Sequence, residues 1–247
     1  MINILIPMVG KSQFFNIEEY PFPKPFIEIN GKPMIQTVIE NLSQISSDIK
    51  FVFVVNSSDC LNYHIDDTLA LLTDNKCEII KSDKETRGAA CTCLLAIKYI
   101  KNKTPLIISN ADQIFSDDLV SIVNGFKNNN YDAGVICFNS VHPRWSYIKT
   151  DSHNKVIETA EKRPISKNAI CGFYYFKEGN FFVDAAMESI KKDSNVNGLY
   201  YIAPTLNEMI LQNKEIGFFS VKNENYHTFY SPQKIEEFQK KTSYQGK

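Results

Sequence analysis

The apolar run from Ile2 to Pro7 empties into a long loop, Met8 to Pro25, which closes with Phe22-Pro23-Lys24-Pro25 and passes through Asn30-Gly31-Lys32-Pro33-Met34 into a helical pattern. A buried strand that delivers glycine and lysine at its carboxyl end is where an open α/β sheet places a phosphate site. The segments that follow suit that opening. Strand-length apolar runs at Phe51 to Val55, Glu78 to Ile80 and Leu106 to Ser109 alternate with helical patterns at Pro33 to Ser46, Asp59 to Leu72 and Gly88 to Ile100. Runs that stay apolar instead of alternating are strands covered on both faces, so the expected fold is α/β: a Rossmann-like, open, mostly parallel sheet between helices. Pro33 suits a first helical turn, and Asp59 can cap the helix that follows it.

Beyond Asp112 the pattern changes. A helix over 117–128 leads to a strand at Tyr131 to Phe138. Strands at Ser146 to Thr150 and Lys155 to Glu161 then flank the turn-forming Asp151-Ser152-His153-Asn154. This hairpin reads as an addition on the far side of the sheet, where a second substrate would lie. A strand at Ala169 to Phe176, helices at Asn180 to Lys191 and Ala203 to Leu211, a strand at Ile216 to Val221 and a polar helix at Pro232 to Lys241 complete the chain. With no repeat, low-complexity tract or Pro/Gly-rich linker, a single domain over 1–247 is expected, a length sufficient for a sizeable core.

Charge and cysteine usage exclude several classes. With 27 basic against 28 acidic residues and no long basic run, nucleic acid is not an expected partner. No apolar run approaches the roughly 20 residues of a membrane span and no signal-like leader is visible, so neither a membrane partner nor secretion is expected and the cytoplasm is the expected compartment. Six cysteines without Cys-x-x-Cys pairs read as reduced thiols, with Cys77, Cys137 and Cys171 filling core in strands. The histidines lack dyad spacing and there is no Gly-x-Ser-x-Gly elbow, which disfavours nucleophilic hydrolysis.

Ile4-Leu5-Ile6-Pro7-Met8-Val9-Gly10, with Phe22-Pro23-Lys24-Pro25 and Asn30-Gly31-Lys32-Pro33-Met34, resembles the opening of the sugar-1-phosphate nucleotidyltransferases, or nucleotide-sugar pyrophosphorylases, in the small form found among bacterial capsule and surface-polysaccharide genes. Further matches follow in order: Thr86-Arg87-Gly88-Ala89-Ala90, Asn110-Ala111-Asp112-Gln113, Glu161-Lys162, Gly172-Phe173-Tyr174-Tyr175-Phe176 and Asn197-Gly198-Leu199-Tyr200-Tyr201-Ile202-Ala203-Pro204. The resemblance implies a nucleoside triphosphate and a phosphorylated sugar as substrates, Mg²⁺ as cofactor, residues 1–112 as the nucleotide half and 113–247 as the sugar-phosphate half, in a monomer or homodimer.

By that resemblance, Pro7, Met8, Gly10, Lys11, Arg87, Gly88, Ala89 and Asn110 contact the nucleotide. Lys24 meets the α-phosphate, Asp112 holds Mg²⁺, and Gly10 with Lys11 meets the outer phosphates. Gln113, Glu161, Lys162 and Gly172 hold the sugar phosphate, with Lys162 also counted among the catalytic groups. From the residues alone, Lys24 is equally a solvated lysine on a stiff turn, Asp112 a turn aspartate and Glu161-Lys162 a charged strand end. The small residues after Gly88 fit tight helix packing as well as a ligand.

Three departures stand out. The family loop pattern Gly-x-Gly-x-x-Arg becomes Gly10 to Phe15 with Ser12 at the second glycine and Phe14 at the arginine. The second metal-binding aspartate expected before Tyr230-Ser231-Pro232 is missing, leaving Glu224 or His227 as substitutes or a packed aromatic strand in their place. Arg163 adds a cation beside Lys162, while His142, Arg144 and Trp145 border the same hairpin. Loss of the loop arginine leaves three outcomes open: turnover with Lys11 in its role, binding of nucleotide or nucleotide-sugar without turnover, or glycosyl transfer from a nucleotide-sugar.

Overall fold

The computed structural model describes residues 1–10, 14–16 and 18–245, so the expectations for Lys11 and Ser12 lie outside the described residues. In chain order the first half runs β1 (Ile2–Pro7), β2 (Glu28–Ile29), β3 (Lys32–Pro33), α1 (Met34–Ser43), β4 (Ile49–Asn56), α2 (Ser57–Tyr63), α3 (Ile65–Leu72), β5 (Cys77–Ser82), α4 (Ala89–Leu94), α5 (Ile97–Ile100) and β6 (Leu106–Ser109). The second half runs β7 (Gln113–Phe115), α6 (Leu119–Asn128), β8 (Ala133–Asn139), β9 (Ser146–Thr150), β10 (Val156–Glu161), β11 (Asn168–Phe176), α7 (Gly179–Lys191), α8 (Ile202–Leu211), β12 (Ile216–Ser220), β13 (Tyr226–Thr228) and α9 (Pro232–Gln245).

The expected mostly parallel sheet is present. β5, β4, β1 and β6 lie side by side and parallel. β11 follows β6 in the antiparallel sense, then β8 antiparallel to β11 and β12 parallel to β8. Strand alternation sends Ile4 and Ile6 to one face, against Ile35, Val38 and Leu42 of α1 and Val123 of α6. Leu5 points to the other face, toward Cys93 of α4, Phe182 of α7 and Leu206 of α8. With helices on both faces the strands have no wet side, which is why they read as apolar runs.

Local backbone conformation accounts for the differences from expectation. The helix expected over 59–72 divides into α2 and α3 at His64, which is left-handed with φ 52°. Asp59 does not cap it; it lies in the first turn of α2 and accepts a hydrogen bond from the Asn56 amide at 3.3 Å. The helix over 88–100 is interrupted where the N–H groups of Leu95 and Ala96 bond three residues back. Residues expected to run straight into α1 instead form the β2–β3 hairpin, turned by Asn30 and Gly31 at φ 52° and 76°, the two positive angles of a type I′ turn. All six cysteines are free thiols, with Cys137 and Cys171 buried and Cys77 half-buried. Among the described residues no helix is long and apolar enough to cross a membrane.

One offset in the sheet creates the space for a ligand. β11 pairs Phe173 with Ser109, the last residue of β6, and pairs Ala169 with Tyr147 of β9. Three β11 residues, Ile170 to Gly172, separate the place where β6 stops from the place where β9 begins, a span of about 13 Å of extended chain. A register shift between Ile170 and Tyr174 falls in this interval. The outcome is a notch, bordered by the carboxyl end of β6 on one side and the β9–β10 hairpin on the other.

Phe173, fully buried and edge-on to Phe115, anchors β11 beside the notch. Phe173→Ala is expected to cost about 3–5 kcal/mol in urea unfolding, whereas Leu61→Ala, at a position 79% exposed, is expected to stay within about 0.5 kcal/mol. Equal losses would contradict this assignment of the core.

Candidate active site

Gly172 lies on the floor of the notch at φ 75°, and a Cβ built there would fall 2.2 Å from the Asn110 amide nitrogen. Its carbonyl accepts from the Asn110 backbone N–H at 3.1 Å and from the Gln113 side-chain amide at 3.0 Å. The Tyr226 hydroxyl lies 3.1 Å from both Gln113 Oε1 and the Cys171 carbonyl. Gln113 is 1% exposed, its amide wholly engaged in holding the bulge. The expectation that it contacts the sugar phosphate is therefore overturned. The missing side chain of Gly172 makes room for Asn110.

The turn Lys24–Phe26, stiffened by Pro23 and Pro25, brings Lys24 to the end of β6, where its ammonium is ion-paired with the Asp112 carboxylate. The two side chains are 23% and 20% exposed, so both charges face an opening and neither is lost to the core. Asp112 is fixed from behind: its carbonyl accepts from the Phe229 N–H at 2.7 Å, continuing the ladder of β7 with β13. A cavity of about 290 Å³ is lined here by Pro7, Met8, Gly10, Lys24, Asn110 and Asp112, with Pro25 and Ala111. A larger one of about 920 Å³ shares Met8, Gly10, Lys24 and Pro25, and reaches Asn56 and Ser82 at the ends of β4 and β5. The structure thus gathers four of the eight expected nucleotide contacts, Pro7, Met8, Gly10 and Asn110, beside Lys24 and Asp112 at the carboxyl ends of β1 and β6, where open α/β sheets bind ligands.

Across the notch, Ser146 pairs in register with Glu161 and its hydroxyl donates to the Glu161 carboxylate. Burial holds the Glu161 carboxyl above the usual carboxylate range, opposed by the Ser146 hydrogen bond and the Lys162 charge. Lys162 donates to the Tyr201 hydroxyl at 2.7 Å and lies 4.8 Å from the centroid of that ring. Lys162 follows Glu161 directly, so it shares the hairpin side of the notch. Arg163 is drawn off to Glu158 at 2.9 Å.

Arg87, Gly88 and Ala89 line neither cavity. Gly88 has φ 106°, and a Cβ on it would meet the Tyr200 carbonyl oxygen at 2.3 Å. Its smallness therefore serves the packing of Tyr200. Tyr200 also lies under the Arg87 guanidinium at 5.2 Å. Tyr200 and Tyr201 thus hold Arg87 and Lys162, a role that sequence reasoning missed, although both fall in the matching segment Asn197 to Pro204.

Glu224 does not reach Asp112. Phe229 is the residue beside Asp112, and the three residues Tyr226 to Thr228, a span of about 13 Å of extended chain, separate it from the turn Asn223–Asn225 that carries Glu224. His227 is turned to the Ser116 hydroxyl at 2.9 Å. The segment is the packed aromatic strand β13, with Tyr226 against Phe115 and Phe138.

The Nucleotidyl transferase family model matches residues 20–215, well over half of the chain. The chain belongs to the nucleotidyl transferase family. The "Bifunctional protein GlmU" of Methanococcus aeolicus is 24% identical over 195 residues, covering 72% of this chain and 44% of that protein, so the chain spans less than half of that relative's length. The nucleoside-diphosphate-sugar pyrophosphorylase from Vibrio cholerae RC9 shares the fold with a TM-score of 0.82 at 23% identity, over 96% of this chain and 99% of that one. A putative glucose-1-phosphate thymidylyltransferase from Bacillus anthracis gives 0.74 at 18%, over 97% and 94%.

For a nucleotidyl transferase, the Asp112 carboxylate at the open cavity could hold a divalent cation that keeps water among its ligands.

Two variants test this geometry. Because the folded-state pKa of Glu161 is raised above 4.5, its ionised form disfavours folding at neutral pH, and the penalty fades as pH falls through the folded pKa toward 4.5. Glu161→Gln should accordingly raise the melting temperature at neutral pH, with the gain shrinking on acidification; a loss at neutral pH would contradict the burial argument. Gly172→Ala, forced against Asn110 at positive φ, should cost about 1–3 kcal/mol in chemical denaturation.

Proposed function

We propose that the chain transfers a nucleotidyl group from a nucleoside triphosphate to the phosphate of a sugar 1-phosphate, releasing pyrophosphate. Family membership supports this reading, and the observation that carries it is the Lys24–Asp112 pair in the cavity beside the notch. An oxygen of the acceptor phosphate attacks the α-phosphorus. A new phosphorus–oxygen bond forms as the bond from the α-phosphorus to the oxygen bridging the β-phosphate breaks, and pyrophosphate leaves with that electron pair. No covalent enzyme intermediate is needed, so the protein's work is positioning and charge neutralisation.

Lys24 faces the α-phosphate, where its point charge offsets the developing negative charge. Mg²⁺, when bound, would offset charge on the phosphate oxygens and be held by Asp112. Glu161 accepts from sugar hydroxyls across the notch, and Lys162, steadied on Tyr201, meets the acceptor phosphate. The activated sugar would feed surface-polysaccharide assembly.

A specific observation supports a second reading, binding without turnover. Beside Asp112 stands buried Phe229, and Phe14 occupies the loop position of the family arginine. The discriminating assay is pyrophosphate release by the purified protein with Mg²⁺, a panel of nucleoside triphosphates and a panel of sugar 1-phosphates. The proposal expects release from at least one pair and a loss of about 10²- to 10³-fold in Asp112→Ala and in Lys24→Ala. Nucleotide binding with no release from any pair would establish the second reading, and a nucleoside diphosphate freed from a nucleotide-sugar would mean glycosyl transfer.

A further inference from the structure

The geometry points to Arg144 as the cation that holds the pyrophosphate end of the nucleotide, seated on Phe14, Tyr230 and Trp145 at the mouth of the notch. This inference rests on the nucleotidyl-transfer reading and assigns a residue to the outer phosphates. The Arg144 guanidinium carbon lies 3.9 Å from the centroid of Tyr230, 5.3 Å from that of Phe14 and 5.8 Å from that of Trp145. Phe14 and Tyr230 in turn meet edge to face at 5.5 Å, and Trp145 and Tyr230 at 6.2 Å. Stacking occupies the faces of a guanidinium and leaves the N–H groups at its edge free to grip an oxyanion. Among the described residues Arg144 has no ion-pair partner, whereas Arg163 is paired with Glu158.

The three rings come from three sides of the site. Phe14 belongs to the loop that leaves β1 after Gly10, and Gly10 lines both cavities. Tyr230 follows Phe229, whose N–H is bonded to the Asp112 carbonyl. Trp145 precedes Ser146 on the hairpin side, and its carbonyl accepts from the Lys162 N–H at 3.0 Å. Arg144 thereby rests on rings whose backbone contacts run to Asp112 through Phe229 on one side and to Lys162 through Trp145 on the other. Among the described residues the other cations near the site already have company: Lys24 on Asp112, Lys162 on Tyr201 and Arg87 over Tyr200. Phe14 contributes no charge, but its ring helps to carry an arginine that reaches residue 14 from the opposite side of the notch.

Calorimetric titration with inorganic pyrophosphate and Mg²⁺ tests this without requiring turnover. Arg144→Gln should weaken pyrophosphate binding by at least about 10-fold and leave the affinity for glucose 1-phosphate unchanged. The double variant Phe14→Arg, Arg144→Gln should regain most of the lost affinity, because it returns a cation to the same place. Unchanged pyrophosphate binding in Arg144→Gln, a loss confined to glucose 1-phosphate, or no recovery in the double variant would each overturn the assignment. Any of these variant results, together with pyrophosphate release in turnover by the wild-type protein, refutes Arg144 alone. A wild-type protein that neither binds nor releases pyrophosphate refutes the nucleotidyl-transfer reading as well.

Discussion

β11 pairs along one edge with β6 and then, after an interval, with β9, and that interval is the constraint on which the site depends. A bulged strand leaves carbonyls without ladder partners, and buried carbonyls left unpaired are costly. Here the Asn110 N–H, the Gln113 amide and the Tyr226 hydroxyl answer the carbonyls of Cys171 and Gly172. The same contacts tie the chain after β6 to β11 and to β13, so that Asp112 leaves the sheet at one defined place. The notch and the position of its carboxylate are therefore one feature.

Around that notch the protein keeps its cations restrained. Lys24 rests on Asp112, Lys162 on the Tyr201 hydroxyl and ring, and Arg144 on three rings. A flexible cation must lose rotamer freedom when it grips a ligand; one already held by a ring or a short loop has lost part of it before binding. Pro23 and Pro25 do this for Lys24 by limiting the backbone on each side. A ligand bearing several phosphates would meet charges already in position, and the balanced overall charge of the chain is no obstacle because the field is local.

Much of the fold could be read from the chain because its strands are covered on both faces: β1, β6 and β9 coincide with the expected runs at Ile2 to Pro7, Leu106 to Ser109 and Ser146 to Thr150. Local backbone choices were less legible. The break at His64 leaves no periodicity signal, and the Asn30-Gly31 turn joins strands of two residues each, too short to show alternation. At the site, the residues alone leave Lys24 a solvated lysine and Asp112 a turn aspartate, and only the family resemblance marks the two as a pair. Gln113 was misread because its neighbours suggest a ligand contact, whereas its destination, the bulge in β11, is set by residues 59 positions away. Gly88 and Gly172 were marked as special, and they are, but the atoms that require them to be glycine belong to Tyr200 and Asn110. Glu224 failed for a register reason: an acidic side chain a few residues early in an extended strand lies many ångströms from where it is needed.

A phosphorylated ligand can enter between Lys24 and Asp112 only if their ion pair opens. Crystals soaked in a nucleoside triphosphate with Mg²⁺ show whether it does. The α-phosphate is expected at Lys24, with the ion pair opened and the outer phosphates directed toward Arg144. Triphosphate lodged away from Lys24, in the cavity of about 360 Å³ lined by β13 and α9, with Lys24 still closed on Asp112, would rule this placement out.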